Sequence, residues 1–362
     1  MGDLPGDLTY LGLNAIVLAD ARPHLEAGLT LGRVVREHRE TYTVRQADRE
    51  AEAQVTGRLR FTAQRREDFP AVGDWVMISA ETDPVVIHAV LPRRTLLARK
   101  AAGERAEKQP IAANIDLVFI MQGLDRAFNL RRLERSMVLV RESGATPVVL
   151  LGKCDLADGE LIRRAAEAAS AVAADVELIT SSAVTGEGLD RLRVRLVTGV
   201  TACIIGPSGA GKSTLINALA SDANLPTNEV RESDARGRHT TSLRQMVFLP
   251  GGGILIDTPG MRELGLWASA TGLELTFPEI GELADECRFR DCSHIHEPEC
   301  AVRLAVEDGR LPPGRFESYC KLRDEGRLME RRTTIAGRRE RKRTEKNLSK
   351  EIRRVLKRKG KK

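Results

Sequence analysis

The chain has 362 residues, 42% hydrophobic and 30% charged with few aromatics, the balance of a soluble globular protein large enough for two or three domains. It has no run of about 18 apolar residues, and its opening MGDLPGDLTY lacks the basic and apolar regions of a signal peptide, so the expectation is a cytoplasmic protein without a membrane span. The net charge is only +6, and six unevenly spaced cysteines exclude a secreted disulfide framework.

Residues 1–30 show weak patterning and read as an irregular N-terminal extension. Over 31–103 short β-type runs recur, LGRVV, TYTV, AQVTGRLR, GDWVMISA and VVIHAVL, which predict a small all-β barrel of the OB-fold kind. The basic stretch 92–110 within and beyond it reads as a structureless linker. From 104 to 268 the rhythm becomes α/β. DLVFIM, PVVLL, VELIT, TACII, MVFL and GILID read as strands, with helices between them, so the prediction is a parallel sheet covered on both faces. Residues 269–335 turn helical and contain three cysteines within fourteen residues. Residues 336–362 form a basic tail. From Lys321 onward the chain carries 19 Lys/Arg against 6 Asp/Glu, a net of +13, leaving −7 on the rest. One-sided charge of that size favours a nucleic acid partner over a tail kept for solubility.

Between the strand TACII and the next helix stands Gly206-Pro207-Ser208-Gly209-Ala210-Gly211-Lys212-Ser213-Thr214, a P-loop in the context that motif requires. Its backbone N–H groups can wrap phosphates, Lys212 reaches the β- and γ-phosphates, and the Ser213 hydroxyl binds Mg²⁺. Asp257-Thr258-Pro259-Gly260 closes the strand GILID. Asp257 can hold Mg²⁺ through water, and the Gly260 amide can sense the γ-phosphate. Between these motifs RGRHTTS (236–242) fits a switch loop in which Thr240 or Thr241 supplies a metal contact.

Base recognition is read from two further segments. Gly152-Lys153-Cys154-Asp155 follows PVVLL and matches the guanine motif Asn-Lys-x-Asp at Lys153 and Asp155, with Gly152 in place of Asn. Ser181-Ser182-Ala183 follows VELIT and matches the Ser-Ala segment whose backbone contacts the guanine oxygen. Loss of Asn predicts weaker affinity with guanine preference retained. Both segments precede the P-loop, the reverse of the usual order, which makes this a circularly permuted nucleotide domain.

Cys287, Cys292, His294 and Cys300 give the spacing C-x4-C-x-H-x5-C, suited to a closed, structural tetrahedral Zn²⁺ site, with His296 as a spare ligand. Cys154, Cys203 and Cys320 are expected to be ordinary thiols.

GPSGAGKSTL, GRHTT, DTPGMRELGLW and the zinc spacing, in permuted order, resemble the ribosome small subunit-dependent GTPase A family (RsgA, also called YjeQ) over about residues 30–335. The resemblance implies an OB-fold barrel, a permuted P-loop GTPase domain and a zinc-binding helical domain, with His294 as the ligand. It also implies late maturation of the 30S subunit, binding to its 16S rRNA near the decoding region, and hydrolysis stimulated by that subunit. A monomer off the ribosome is expected. Met261 stands directly after Gly260, where Ras-like enzymes carry the water-orienting Gln, so slow intrinsic turnover is predicted. His239 is the candidate within the chain to supply that catalytic function, and the ribosome is the other source. Two competing readings are an rRNA-binding factor that uses GTP only by occupancy, and a P-loop ATPase or kinase. Lys212, Ser213 and Asp257 argue against the first and Asp155 against the second.

Overall fold

A computed structural model describes residues 7–38, 41–79, 83–100, 108–125, 128–221, 244–258 and 270–333. Its chain divides into two compact units, Met1–Arg99 with Lys108–Gly265, and Lys100–Glu107 with Leu266–Lys362.

The first unit begins with a 3₁₀ turn, Thr9–Leu11, and helix α1, Ala15–Glu26. Asn14 starts this helix by accepting from the amides of Ile16 and Val17, each at 3.1 Å. Of the segment expected to be irregular, residues 7–30 are therefore folded. Leu8, Leu11, Val17 and Ala21 bury themselves against Leu31, Trp75, Met77 and Leu91. Its apolar residues are spread around the helix instead of forming one stripe, and Pro23 interrupts it, so no periodic signal results; the barrel it packs on supplies the stability.

Strands β1 (Thr30–His38), β2 (Thr41–Arg45), β3 (Glu50–Val55), β4 (Trp75–Ser79) and β5 (Val85–Val90) close in the order β1-β2-β3-β5-β4-β1. The single parallel pair, β3 with β5, closes this five-stranded OB-type barrel around Val34, Tyr42, Val44, Ala53, Val76, Ile78, Val85 and Ile87. The GRLR of the run AQVTGRLR is not strand. Thr56 accepts from the Leu59 amide at 3.1 Å and opens helix α2, Gly57–Thr62. A short α-turn satisfies those amides where the strand has no further neighbour.

The stretch read as a linker contributes a two-stranded sheet, β6 (Leu96–Lys100) with β7 (Lys108–Ala113). Its charge density misleads because the charges have partners. Arg93 binds buried Asp74 through two nitrogens at 2.8 and 2.6 Å, and Arg94 pairs with Asp116 at 2.9 Å.

The α/β part follows: β8 (Leu117–Gly123), α3 (Leu130–Ser143), β9 (Thr146–Gly152), α4 (Gly159–Val172), β10 (Glu177–Ser181), α5 (Leu189–Arg195), β11 (Thr201–Ile205), α6 (Lys212–Ala220), β12 (Arg244–Phe248) and β13 (Ile254–Asp257). The strand order is β10-β9-β8-β11-β13-β12, parallel except for β12. Helices α5 and α6 bury Leu189, Leu192, Leu215, Ile216 and Leu219 on one face against Phe119, Met121, Leu150, Ile179 and Ile204. The far end of β1 pairs with β12, Arg36 with Gln245 and Glu37 with Arg244, so barrel and α/β sheet are continuous. Arg33 reinforces the junction. Its buried guanidinium donates to the carbonyls of Gly73, Leu11 and Asn114 and to Thr201 Oγ1, and lies over the Trp75 ring. Burial lowers its pKa to about 10, which still leaves it charged at neutral pH.

The second unit is helical: α7 (Ala270–Thr276), α8 (Pro278–Asp285), α9 (Ala301–Glu307) and α10 (Pro313–Thr333). Buried Phe277 is central to it. Tyr319 meets its ring edge-on at 5.5 Å, and Arg315 lies 4.2 Å over it while donating to Thr276 O and Glu279. Among the described residues no helix is long and apolar enough to cross a membrane.

Candidate functional site

Five parallel strands, β8, β9, β10, β11 and β13, end at one edge of the sheet, where open α/β sheets bind ligands. The P-loop leaves buried β11 there and turns into α6 at Lys212. Gly206 permits the passage, since a Cβ on it would lie 2.3 Å from the Met121 carbonyl oxygen. Ala210 is buried beneath the loop, while Ser208, Gly209, Ser213 and Thr214 face solvent.

Lys212 Nζ donates to the carbonyls of Gly206 and Pro207, each at 2.9 Å, which holds the ammonium against the loop. Burial lowers its pKa and the nearby Asp257 charge opposes that shift. Asp257 ends β13, and the next residue anchors the turn, Thr258 Oγ1 donating to Ile204 O at 2.9 Å. The phosphate-side residues Lys212, Ser213 and Asp257 are thus assembled from adjacent strands.

The base-side segments lie on the neighbouring strands. Gly152 ends β9, and Lys153 turns the chain with a left-handed φ of 60° into the 3₁₀ turn Cys154–Leu156. Asp155 is exposed on that turn. Lys153 Nζ donates to Asp125 Oδ2 at 2.8 Å. Cys154 is buried and donates to Glu187 Oε2 at 3.4 Å, and burial with that carboxylate pushes its thiol up to about 11, so it is inert at neutral pH. Ser182 Oγ accepts from the amides of Val184 and Thr185 and its own amide donates to Glu187 O, which shapes the turn carrying Ala183.

Sequence motifs did not point to Asp125, Glu187 or Met121. They join the site through sheet register and loop return, and neither leaves a local pattern. His239, Thr240, Thr241, Gly260 and Met261 lie outside the described residues.

In the second unit Cys287, Cys292, His294 and Cys300 bring one ligand atom each to within 4.8 Å of one another. Cys287 Sγ and Cys300 Sγ are 3.9 Å apart, and His294 Nδ1 lies 3.7 and 3.4 Å from them. A tetrahedral ion with metal–sulfur bonds of about 2.3 Å has sulfur–sulfur edges of about 3.8 Å, so the donor set fits zinc in chemistry and size. His296 is exposed and outside the cluster. Glu297 braces the loop, accepting from the amides of Ser293, Ile295 and His296 and from Ser293 Oγ, and these bonds hold its carboxyl far below the usual carboxylate range.

Residues 90–267 match the family described as RsgA GTPase. Small ribosomal subunit biogenesis GTPase RsgA 2 of Lactiplantibacillus plantarum is 45% identical over 320 residues, 88% of this chain and 89% of its own length. The corresponding protein of Streptomyces coelicolor is 41% identical over 89% of this chain and 87% of its own. Among solved structures, YjeQ from Thermotoga maritima superposes with a TM-score of 0.61 at 28% identity, covering 82% of this chain and 98% of that one. YloQ, described as a circularly permuted GTPase, has the same fold, with a TM-score of 0.58 at 24% identity over 83% and 95%.

Proposed function

The chain belongs to the RsgA GTPase family and is a GTP-hydrolysing enzyme of small-subunit maturation, and from that premise we propose how its residues divide the work. Asp155 reads guanine N1 and N2, and the Ser181–Ala183 turn offers backbone to the guanine oxygen. Residues 206–214 wrap the phosphates, with Lys212 on the β- and γ-phosphates. Ser213 and Asp257 hold Mg²⁺, together with Thr240 or Thr241, and Gly260 senses the γ-phosphate. The metal, when bound, neutralises charge on the transferring phosphoryl group.

The observation that carries this reading is the convergence of both half-sites on one carboxyl edge of a continuous parallel sheet, although the chain supplies them in permuted order. Met261 cannot orient water, so turnover is slow until the enzyme docks on the 30S subunit through 16S rRNA. The barrel, the zinc-bearing unit and the basic tail supply that docking. A missing catalytic group supplied on docking raises such rates by about 10³–10⁵-fold. His239 is the group within this chain, and His239→Ala should abolish most of the 30S-stimulated turnover while leaving 30S binding intact. Undiminished stimulation would move that role to the ribosome. Off the ribosome the protein is a cytoplasmic monomer. Elemental analysis should return one zinc per chain, lost in a Cys287→Ser/Cys300→Ser variant; metal-free protein with freely titratable thiols would contradict the zinc assignment.

A further inference from the structure

Gly152 stands where the guanine motif has Asn, and the structure accounts for the space that side chain would take. A Cβ added at Gly152 would lie 2.5 Å from Met121 Cε and 3.7 Å from the Ala210 carbonyl oxygen. The region between β9 and the P-loop is therefore filled by the Met121 thioether. The same methyl group is 3.3 Å from where a Cβ on Gly211 would stand, so Met121 touches the P-loop from below as well as the base-recognition strand from the side. Met121 is buried in one apolar cluster with Ala210, Leu150 and Ile179.

A second observation marks the same place. Ser181 on β10 is in register with Gly152 on β9, which is in register with Gly123 on β8. Residues in register on neighbouring strands project to the same face, so the Ser181 side chain borders the space beside Gly152. Its hydroxyl is buried and is the one buried side-chain polar atom among the described residues without a hydrogen-bond partner. An orphaned buried hydroxyl carries a desolvation cost that a partner would remove. An Asn side chain at 152 has the length and the amide to donate towards Ala210 O and to accept from Ser181 Oγ.

We propose that Met121 is the positioning residue of this nucleotide site: its thioether replaces the absent Asn side chain, bracing the P-loop against β9 by packing where an amide would do so by hydrogen bonds. This rests on the assignment of residues 152–155 and 206–214 as the nucleotide site. The flexible, unbranched methionine suits an irregular space between a strand end and a glycine-rich loop. The brace has shape but no direction, and Ser181 is left unpaired by the exchange.

The test is titration of the full chain with N-methylanthraniloyl-GDP, followed by fluorescence, with thermal unfolding measured on each variant. Gly152→Asn alone should stay within about twofold of the wild type, because the new side chain reaches its partners only by displacing the flexible end of Met121, and Met121→Ala alone should weaken binding about fivefold by emptying that space. Met121→Ala/Gly152→Asn should bind about fivefold more tightly than the wild type, the amide now reaching Ala210 and Ser181. Adding Ser181→Ala to that pair should remove the gain. Met121→Leu, which keeps the volume, should stay within about twofold of the wild type. The proposal is overturned if Met121→Ala alone binds as well as the wild type, or if Gly152→Asn alone binds as tightly as the double variant. Failure of the wild type itself to bind the probe would instead overturn the nucleotide-site assignment beneath it.

Discussion

At the phosphate end of the site the proposed working groups lie close together in sequence: a buried strand, a loop of six residues (206–211) and the first turn of a helix, with Asp257 one strand away. At the base end they come from β8, β9 and β10 and the loops that follow, held by Lys153–Asp125, Cys154–Glu187 and the packing of Met121 on Gly152. The two ends also differ in how they would hold the nucleotide. In the proposed assignment phosphate binding needs backbone N–H groups that converge in only one loop conformation, which ties it to the whole motif. In the proposed assignment base recognition rests on Asp155, which is exposed on its turn. A supporting side chain there can be exchanged for packing from another strand.

Three substitutions sharpen the contrast, in falling order of effect. Lys212→Ala removes the ammonium held against the P-loop carbonyls and should lower hydrolysis by about 10²–10³-fold, with the unfolding temperature nearly unchanged, as read by single-turnover phosphate release. Asp155→Asn should cost about 10²-fold in GTP affinity and raise affinity for XTP, whose 2-oxo group accepts from the new amide; competition binding reads both. An unchanged GTP-over-XTP preference would place base recognition elsewhere. Asp125→Ala frees Lys153 from a half-exposed ion pair and should weaken GDP binding only about two- to fivefold, without altering base preference. If Asp125→Ala costs as much as Asp155→Asn, the base end is a single coupled network like the phosphate end.

How far the sequence can be read follows the same division. The P-loop, the Asp257 strand and the metal-ligand spacing are contiguous, and chemistry that needs neighbouring residues writes a local pattern. The barrel was legible from short β-type runs closely spaced along the chain. Helix α1 was not, since Leu8, Leu11, Val17 and Ala21 gain their burial only from Trp75 and Met77 across the barrel. Strands β6 and β7 were hidden by arginines whose carboxylate partners, Asp74 and Asp116, lie elsewhere in the chain. Met121 and Asp125 escaped for a related reason. The register Gly123–Gly152–Ser181 brings them to the site, and register is a property of the sheet rather than of any one strand. The gap left by Asn at 152 was visible in the sequence; what fills it was visible only in the fold.

The central claim is a GTPase whose hydrolysis depends on the small subunit, and multiple-turnover phosphate release from GTP, titrated with purified 30S subunits, tests it most directly. The expected result is a slow basal rate that rises saturably with 30S by orders of magnitude, is lost in Lys212→Ala, and does not respond to 50S subunits. A rate independent of 30S, or raised equally by 50S, would contradict it.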